Sequence, residues 1–260
     1  MHHLHIDTFA GFSSPIHNID ARAKIITTFC AIFLVILTPD GYFLSFAIYL
    51  TAAVGIVYLS HVPMGYIFKR SLILIPFVLL ASLFVPFTTS GSPLFTFTLA
   101  QHTIMLTEEG LVRFTSIGLR AFVSFILTIT LVSTTRFGNL MRAASNLGLP
   151  SKLVIVLSFM YRYLFILIDE AAHMMLAREL RSSNRQKKTL LTASGGIIGS
   201  LFIRSYEHAE KLYSAMLFRG YSGEPVSLVP LRLTGKDVVL SIIFLSIACC
   251  GFSIGKVIHG

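Results

Sequence analysis

The fold of this chain is constrained most by its long apolar runs, each of which approaches the length needed to cross a lipid bilayer. A membrane-spanning helix needs about 20 mainly apolar residues. The runs cover Ile25–Thr38, Phe43–Leu59, Ser71–Phe87, Leu111–Val132 and Val238–Phe252. The first run becomes long enough if its helix begins near Ala21 and the side chains of Arg22 and Lys24 extend to the interface. The pattern predicts an all-α polytopic membrane protein with five spans.

The composition excludes an ordinary soluble domain. Of the 260 residues, 54% are hydrophobic and only 13% are charged, and the mean hydropathy is +0.77. A soluble fold does not bury so much apolar surface. The net charge of +9 would suggest nucleic acid in a soluble chain, but here the lipid bilayer explains it, because anionic headgroups attract basic segments. No nucleic-acid partner is expected.

The distribution of lysine and arginine predicts how the chain crosses the membrane. Residues Thr88–Glu109 contain neither, whereas positive charges crowd together between Arg136 and Lys236. Because cytoplasmic loops are enriched in lysine and arginine, we expect the first segment outside and the second in the cytoplasm. Five spans then place the amino terminus in the cytoplasm and the carboxyl terminus outside. Within the outer loop, Phe95–Leu99 alternates with period two, which indicates a strand or hairpin.

The stretch Leu153–Ile168 resembles a further span in its hydropathy, but its charges argue against one. Arg162 lies at its middle, and Asp169 and Glu170 follow directly. An arginine at the bilayer centre costs about 2.5–3.5 kcal/mol on insertion scales. We therefore expect an interfacial or bundle-buried helix that begins after Pro150, a residue suited to the first helical turn. A sixth span is the open alternative.

Two long helical stretches carry an arginine near their carboxyl ends. One runs from Pro150 to about Ser182 and contains Arg178, and the other runs from Leu190 to Phe218 and is followed by Arg219. Gly220 suits the left-handed position that closes many helices. The dipole of each helix favours a cation at its carboxyl end. The pair predicts a docking device for a soluble partner, although arginine is common in the last turn of any helix.

The sequence shows no catalytic constellation. It contains no phosphate-binding loop, no HExxH and no GxSxG, so no catalytic residue, metal site or cofactor is predicted. His2, His3 and His5 have the chemistry to hold a metal, but histidines in a polar terminus are more often solvated. We expect them not to be the principal substrate site, because the charge distribution places that terminus in the cytoplasm.

Several short motifs, each of low specificity alone, follow one another in a specific order. They are His5-Ile6-Asp7, Asp20-Ala21-Arg22-Ala23-Lys24, Glu109-Gly110-Leu111 followed by Arg120, Leu147-Gly148-Leu149-Pro150 with Arg162, Ala177-Arg178-Glu179 and Phe218-Arg219-Gly220. Together they resemble the transmembrane T component of energy-coupling factor (ECF) importers, and within it the cobalt-transport type called CbiQ. The last two motifs stand where that family has Ala-Arg-Gly signatures, with Glu179 in place of glycine and Phe218 in place of alanine.

The resemblance implies a five-span bundle with about three long cytoplasmic amphipathic coupling helices. It divides the chain into an N-terminal membrane bundle with spans 1–4 (residues 1–133), a coupling-helix region (134–236) and a final span (237–260). Arg178 and Arg219, with Ala177, Glu179 and Gly220 beside them, would insert into grooves of an ATPase subunit pair, and a substrate-capture subunit would bind the outer face. The protein would lie in the cell inner (cytoplasmic) membrane. The partner ATPases would hydrolyse ATP, so we do not expect the chain itself to be an enzyme.

The resemblance favours a subunit of a cobalt importer, and other assignments stay open. The T component of a nickel importer is one, and that of a vitamin importer, which usually lacks the His-Ile-Asp start, is another. A secondary transporter would need paired ionisable residues at mid-membrane depth, and Arg120 is the only ionisable residue well inside a predicted span. A membrane scaffold without transport would leave the paired helix-end arginines unexplained.

Overall fold

The computed structural model describes residues 14–89, 91–99, 102–181, 187–221 and 234–259. Apart from one β-hairpin, the secondary structure of these residues is α-helical, as predicted. The helices are α1 (Ala21–Leu37), α2 (Phe43–Leu59), α3 (Met64–Ser82), α4 (Val85–Thr88), α5 (Glu108–Thr134), α6 (Phe137–Asn146), α7 (Ser151–Arg181), α8 (Lys187–Phe218) and α9 (Gly235–His259). Strands β1 (Pro93–Leu99) and β2 (His102–Thr107) pair antiparallel, where the period-two alternation predicts a hairpin.

The chain divides into two compact units. The first, called the bundle, takes residues 6–143 and 231–260 and contains α1 to α5, most of α6, the hairpin and α9. The second, called the α7–α8 pair, lies within residues 144–230.

Helix α5 is the helix around which the bundle packs. It contacts α1, α2, α3 and α4, while α9 contacts α1 and α2. The core contains Val35 of α1, Phe46 and Val57 of α2, and Val123 and Ile126 of α5, all of them buried. The bundle therefore joins helices that are far apart in sequence, with α9 returning to pack on the first two.

Helices α2 and α9 approach closely because α9 carries glycine at the contact. Gly251 and Gly255 are four residues apart, and both are buried. A Cβ atom at Gly255 would lie 2.3 Å from Ser45 Oγ and 2.8 Å from Tyr42 Cδ2, and one at Gly251 would lie 3.1 Å from Tyr49 Cε1. Small residues at this spacing let helix backbones pack closely in membranes. Only glycine fits at Gly255 without a shift of its neighbours.

The third apolar run is divided into two helices just before Pro86. Helix α3 contains Pro76 in its interior and ends at Ser82. Helix α4 then begins at Val85 with Pro86 in its first turn, the position where a missing backbone N–H costs least. Pro86 packs against α5 at Gly110, where a Cβ atom would lie 2.7 Å from Pro86 Cα.

The sequence suggested that the side chain of Lys24 extends to the membrane interface, and this prediction is wrong. The residue is buried, with 8% of its surface exposed. Its Nζ donates to the carbonyl oxygens of His17 and Thr134 and to the hydroxyl of Thr135. Hydropathy could not predict this burial, because the acceptors near Thr134 come from a segment 110 residues later in the chain.

Four helical segments among the described residues are long and apolar enough to cross a membrane. They are Met64–Thr88, Glu108–Thr134, Ser151–Leu180 and Gly235–Gly255, and Phe43–Leu59 is apolar but shorter. The chain is therefore a membrane protein by the character of its helices. By length and composition α7 belongs to this set, so the five-span count and the non-crossing of Leu153–Ile168 stay predictions.

Candidate coupling site on the long helices

Helix α7 is a single helix of 31 residues, as its lack of breakers predicts. It begins directly after Pro150, whose carbonyl oxygen accepts the backbone N–H groups of Leu153 and Val154 at 3.0 and 3.3 Å. The turn before it is closed by Gly148, which has a φ of 108°. Leu149 N donates to Ala144 O at 3.1 Å, so the end of α6 is capped by the left-handed motif that favours glycine.

Arg178 lies in the last turn of α7, three residues before the helix ends at Arg181. Its side chain is partly buried, whereas Ala177 and Glu179 beside it are exposed. Free carbonyl groups and the negative end of the helix dipole lie in this turn, and both favour a guanidinium. The helix-end position predicted for Arg178 is therefore confirmed.

Arg219 is held at the end of α8 by a complete capping motif. Gly220 has a φ of 78°, and its N–H donates to Leu217 O at 3.0 Å. The N–H of Tyr221 donates to Met216 O at 3.0 Å, which completes the six-residue pattern of a Schellman motif. The predicted left-handed cap at Gly220 is confirmed. Arg219 is exposed at this end, where its donors are accessible to a partner.

One ion pair connects α7 with α8. Glu170 accepts a hydrogen bond from Arg204 Nη1. Both side chains are partly exposed, so the pair contributes little to stability, about 0–1 kcal/mol. Its value here is geometric, since it shows which levels of the two helices lie side by side.

The ion pair sets the separation of the two candidate coupling arginines. Arg178 lies eight residues beyond Glu170, and Arg219 lies fifteen residues beyond Arg204. Glu170 and Arg204 are 34 residues apart in the sequence yet in contact, so the chain reverses direction between the two helices. At 1.5 Å per residue, the two arginine positions are then about 25–35 Å apart, depending on the crossing angle. The structure therefore places them at opposite ends of the pair.

A glycine-rich face of α8 is open. Gly195, Gly196 and Gly199 are exposed, and a Cβ atom at any of them would meet nothing within 4 Å. Such a face lets another helix approach closely. In the described part of the chain, the three glycines therefore lack the kind of packed neighbour that Gly255 has.

A partly exposed arginine network in the bundle was missed by sequence reasoning. Arg120 Nη2 of α5 donates to Thr38 O at 2.5 Å and to Asp40 Oδ1 at 2.8 Å. Arg113 Nε donates to Asp40 Oδ2 at 3.1 Å, and the Arg120 guanidinium lies 5.8 Å from the ring centroid of Phe46. The signal was present, because an arginine inside an apolar helix needs an acceptor, and Asp40 follows the first span.

The metal-binding possibilities at the amino terminus lie outside the described residues. These are His2, His3 and His5, together with the His5-Ile6-Asp7 motif. Within the residues that the structure describes, no three histidine, cysteine, aspartate or glutamate side chains form a group that would hold a metal ion.

The fold defines a polytopic α-helical membrane protein, and its family follows from comparison with known proteins. A family model described as "cobalt transport protein" (CbiQ) matches residues 12–228. The chain belongs to this family, whose members are transmembrane components of transporters, and the resemblance drawn from the motifs is confirmed.

The relatives carry two kinds of name. The energy-coupling factor transporter transmembrane protein EcfT of Bacillus subtilis is 29% identical over 250 residues, which cover 90% of this chain and 92% of that protein. The cobalt transport protein CbiQ of Rhodobacter capsulatus is 24% identical over 157 residues, covering 60% of this chain and 64% of that protein. An uncharacterised protein of Methanocaldococcus jannaschii is 29% identical over 239 residues, covering 90% of this chain and 81% of the relative.

Proposed function

We propose that this chain is the transmembrane coupling subunit of an ECF-type ABC importer for cobalt ions. It passes the ATP-driven closure of an ATPase pair to a membrane subunit that captures the substrate. The observation that carries the proposal is the pair of helix-end arginines, Arg178 and Arg219, on a chain of the CbiQ family. The chain itself is not an enzyme in this proposal.

The separation of the arginines supports one contact for each ATPase subunit. Two positions about 25–35 Å apart along the α7–α8 pair suit two equivalent grooves better than one shared groove. A guanidinium makes bidentate hydrogen bonds to carboxylate or carbonyl groups in such a groove. Ala177 and Glu179 flank the first contact, and Gly220 fixes the backbone at the second.

The proposal includes a topology for the whole chain. Residues 1–133 form the membrane bundle with the amino terminus in the cytoplasm, residues 134–236 form the cytoplasmic coupling region, and residues 237–260 form the final span. Of the described helices in the coupling region, α7 and α8 have 31 and 32 residues and α6 has ten. Two long coupling helices therefore support this proposal, with α6 as a short third.

Cobalt is proposed as the substrate, and a nickel or vitamin importer is the second candidate. The family description and the name of the R. capsulatus relative both specify cobalt transport. The names of the EcfT relatives, which cover more of this chain than the R. capsulatus protein does, specify no substrate. In either case the capture subunit would select the substrate.

The arginines test the proposal directly. We expect Arg178→Ala or Arg219→Ala to weaken co-purification of the ATPase pair and the uptake of radioactive Co²⁺, and the double variant to lose both. Removing one partner of a buried charged contact costs about 2–5 kcal/mol. Lysine at either position should rescue poorly, because an ammonium lacks the planar fork.

The control for this experiment is Lys211→Ala, which removes an exposed cation about two turns before the end of α8. It should bind the ATPase pair and transport Co²⁺ as the wild type does. Wild-type co-purification and uptake by the double variant would overturn the proposed function. Uptake of Ni²⁺ or of a vitamin, without Co²⁺ uptake, would decide for the second candidate.

A further inference from the structure

Lys24 is buried at the amino-terminal end of α1, with an acceptor for each of its donors. Its Nζ donates to Thr134 O at 3.1 Å, to His17 O at 3.2 Å and to Thr135 Oγ1 at 3.5 Å. An ammonium has three N–H donors and no acceptor, so these partners satisfy it fully. They belong to two segments that are more than one hundred residues apart.

The Thr134 contact caps the end of α5. Thr134 is the last residue of that helix, and the last carbonyl groups of a helix have no partner within it. They also carry the negative end of the helix dipole, which a cation stabilises. Lys24 therefore fixes the point at which α5 ends.

Two buried carboxylates also act on the same ammonium through their charge, and one of them lies in the first turn of α9. Asp20 caps α1 by accepting the N–H of Arg22 at 2.8 Å, and Asp237 lies in the first turn of α9, where it accepts the N–H of Thr234 at 2.9 Å. Both carboxylates attract the Lys24 charge, and both are buried. One cation at the start of α1 thus holds the end of α5 by hydrogen bonds, and the charge of Asp237 attracts it toward the start of α9.

The end of α5 and the start of α9 lie on either side of the α7–α8 pair in the sequence. The bundle takes the chain up to residue 143 and again from residue 231. The intervening residues contain the α7–α8 pair with Arg178 and Arg219. Thr134 lies just before the chain leaves the bundle, and Asp237 lies just after it returns. Lys24 therefore acts on both the end of α5, where the chain leaves the bundle, and the start of α9, where the chain re-enters it.

We propose that Lys24 is a positioning residue for energy coupling, which makes the end of α5 and the start of α9 move as one body with α1. A force that an ATPase pair exerts on α7 and α8 would then reach three helices of the bundle together. Without this connection, each helix end would yield separately and absorb the movement locally. The inference rests on the proposed function.

The test compares transport with ATP hydrolysis in the complete importer, purified with its ATPase pair and capture subunit and reconstituted in proteoliposomes. Lys24→Met removes the charge and retains the length of the side chain. We expect Co²⁺ transported per ATP hydrolysed to fall several-fold. Co-purification of the ATPase pair and the rate of hydrolysis should stay near those of the wild type. Lys24→Arg should restore most of the loss.

Two further variants keep the inference testable. Asp237→Asn keeps an oxygen that accepts the cap N–H of Thr234, since asparagine and aspartate cap helices about equally well, and removes only the charge. It should reduce transport per ATP in the same direction, including when Lys24→Met yields no folded complex. Lys69→Met, at an exposed lysine of α3, is the matched control and should be neutral.

The outcomes separate this inference from the proposed function. Unchanged transport per ATP in Lys24→Met and Asp237→Asn would overturn the inference. A loss of transport, hydrolysis and ATPase co-purification in proportion to a lowered unfolding temperature would also overturn it, because Lys24 would then only hold the fold. In both cases the proposed function still stands if the Arg178→Ala, Arg219→Ala double variant loses the ATPase pair, and it fails if that variant keeps it.

Discussion

At the scale of single residues, Asp40 determines whether the bundle can contain Arg120. The carboxylate accepts from two arginines of α5, Arg120 and Arg113, which lies two turns earlier in the same helix. The Arg120 side chain is 23% exposed and that of Asp40 is 31% exposed, so water reaches the network only in part. A charged group that loses its hydrogen-bond partner in such a place costs about 1–3 kcal/mol.

We expect Asp40→Ala to lower the free energy of unfolding by about 1–3 kcal/mol, because Arg120 and Arg113 both lose an acceptor. Asp40→Asn should cost less, since its amide oxygen can still accept from Arg120. Thermal unfolding of the purified protein in detergent measures both. Asp169→Ala, at an exposed aspartate of α7, is the control. An unfolding temperature for Asp40→Ala equal to that of the control would contradict the role assigned to the network.

The sequence could not predict such contacts, although it contained half of the information. It showed that Arg120 needs a partner and that Pro39-Asp40-Gly41 is a turn. The pairing joins residues 80 positions apart, and hydropathy does not tell which turn packs against which helix. The prediction for Lys24 failed for the same reason, because its burial depends in part on the end of α5, 110 residues later in the chain.

At the scale of helices, apolar runs predict the centre of each helix better than its ends. The bounds of α2 coincide with the predicted run, whereas α5 begins three residues early with Glu108 and Glu109. Acidic residues suit the first turn of a helix, but they end an apolar run. The sequence predicted a helix end correctly where the backbone conformation requires glycine, as at Gly220.

Sequence alone did not show which glycines are packed. Gly195 and Gly199 have the same spacing as Gly251 and Gly255, yet only the second pair has another helix against it. The difference depends on tertiary neighbours, because spacing within one helix does not determine what covers its face. The two pairs are therefore matched positions for an experiment on packing.

We expect Gly255→Ala to destabilise the protein by about 1–3 kcal/mol, the usual cost of overpacking. The Ser45 hydroxyl can turn away from the new methyl group, but the ring of Tyr42 lies 2.8 Å from it. Gly251→Ala should cost less, since its nearest contact would be 3.1 Å. Gly199→Ala is the matched control and should be neutral or stabilising by up to about 1 kcal/mol. Thermal unfolding in detergent gives the order, and equal stability of Gly255→Ala and Gly199→Ala would refute the packing argument.

At the scale of the whole molecule, charge and hydropathy disagree about α7. Its hydropathy qualifies it as a span, whereas Arg162 in its middle and the basic residues on either side favour the cytoplasm. The described part of α7 has a largely exposed apolar surface, which lipid or a protein partner would cover. The orientation of the sequence that follows α7 determines whether Arg219 can reach a cytoplasmic ATPase at all.

Cysteine labelling determines that orientation. The native cysteines Cys30, Cys249 and Cys250 are first replaced by alanine, and single cysteines are then introduced as Leu140→Cys and Leu190→Cys. We expect a membrane-impermeant maleimide to label both positions only after the cells are permeabilised, because a non-crossing Leu153–Ile168 segment leaves both in the cytoplasm. The control is Ser92→Cys, in the loop without lysine or arginine, which should be labelled in intact cells.

Labelling of positions 140 and 190 from opposite sides would show that α7 crosses the bilayer as a sixth span. Arg219 would then lie outside, on the side where no ATPase meets it, and the cost of placing Arg162 in the membrane, about 2.5–3.5 kcal/mol, would have to be offset by a partner within it. That one result would refute both the five-span topology and the assignment of Arg219 to ATPase coupling. Labelling from the same side supports both, because only a cytoplasmic α8 allows the two arginines to contact one ATPase pair.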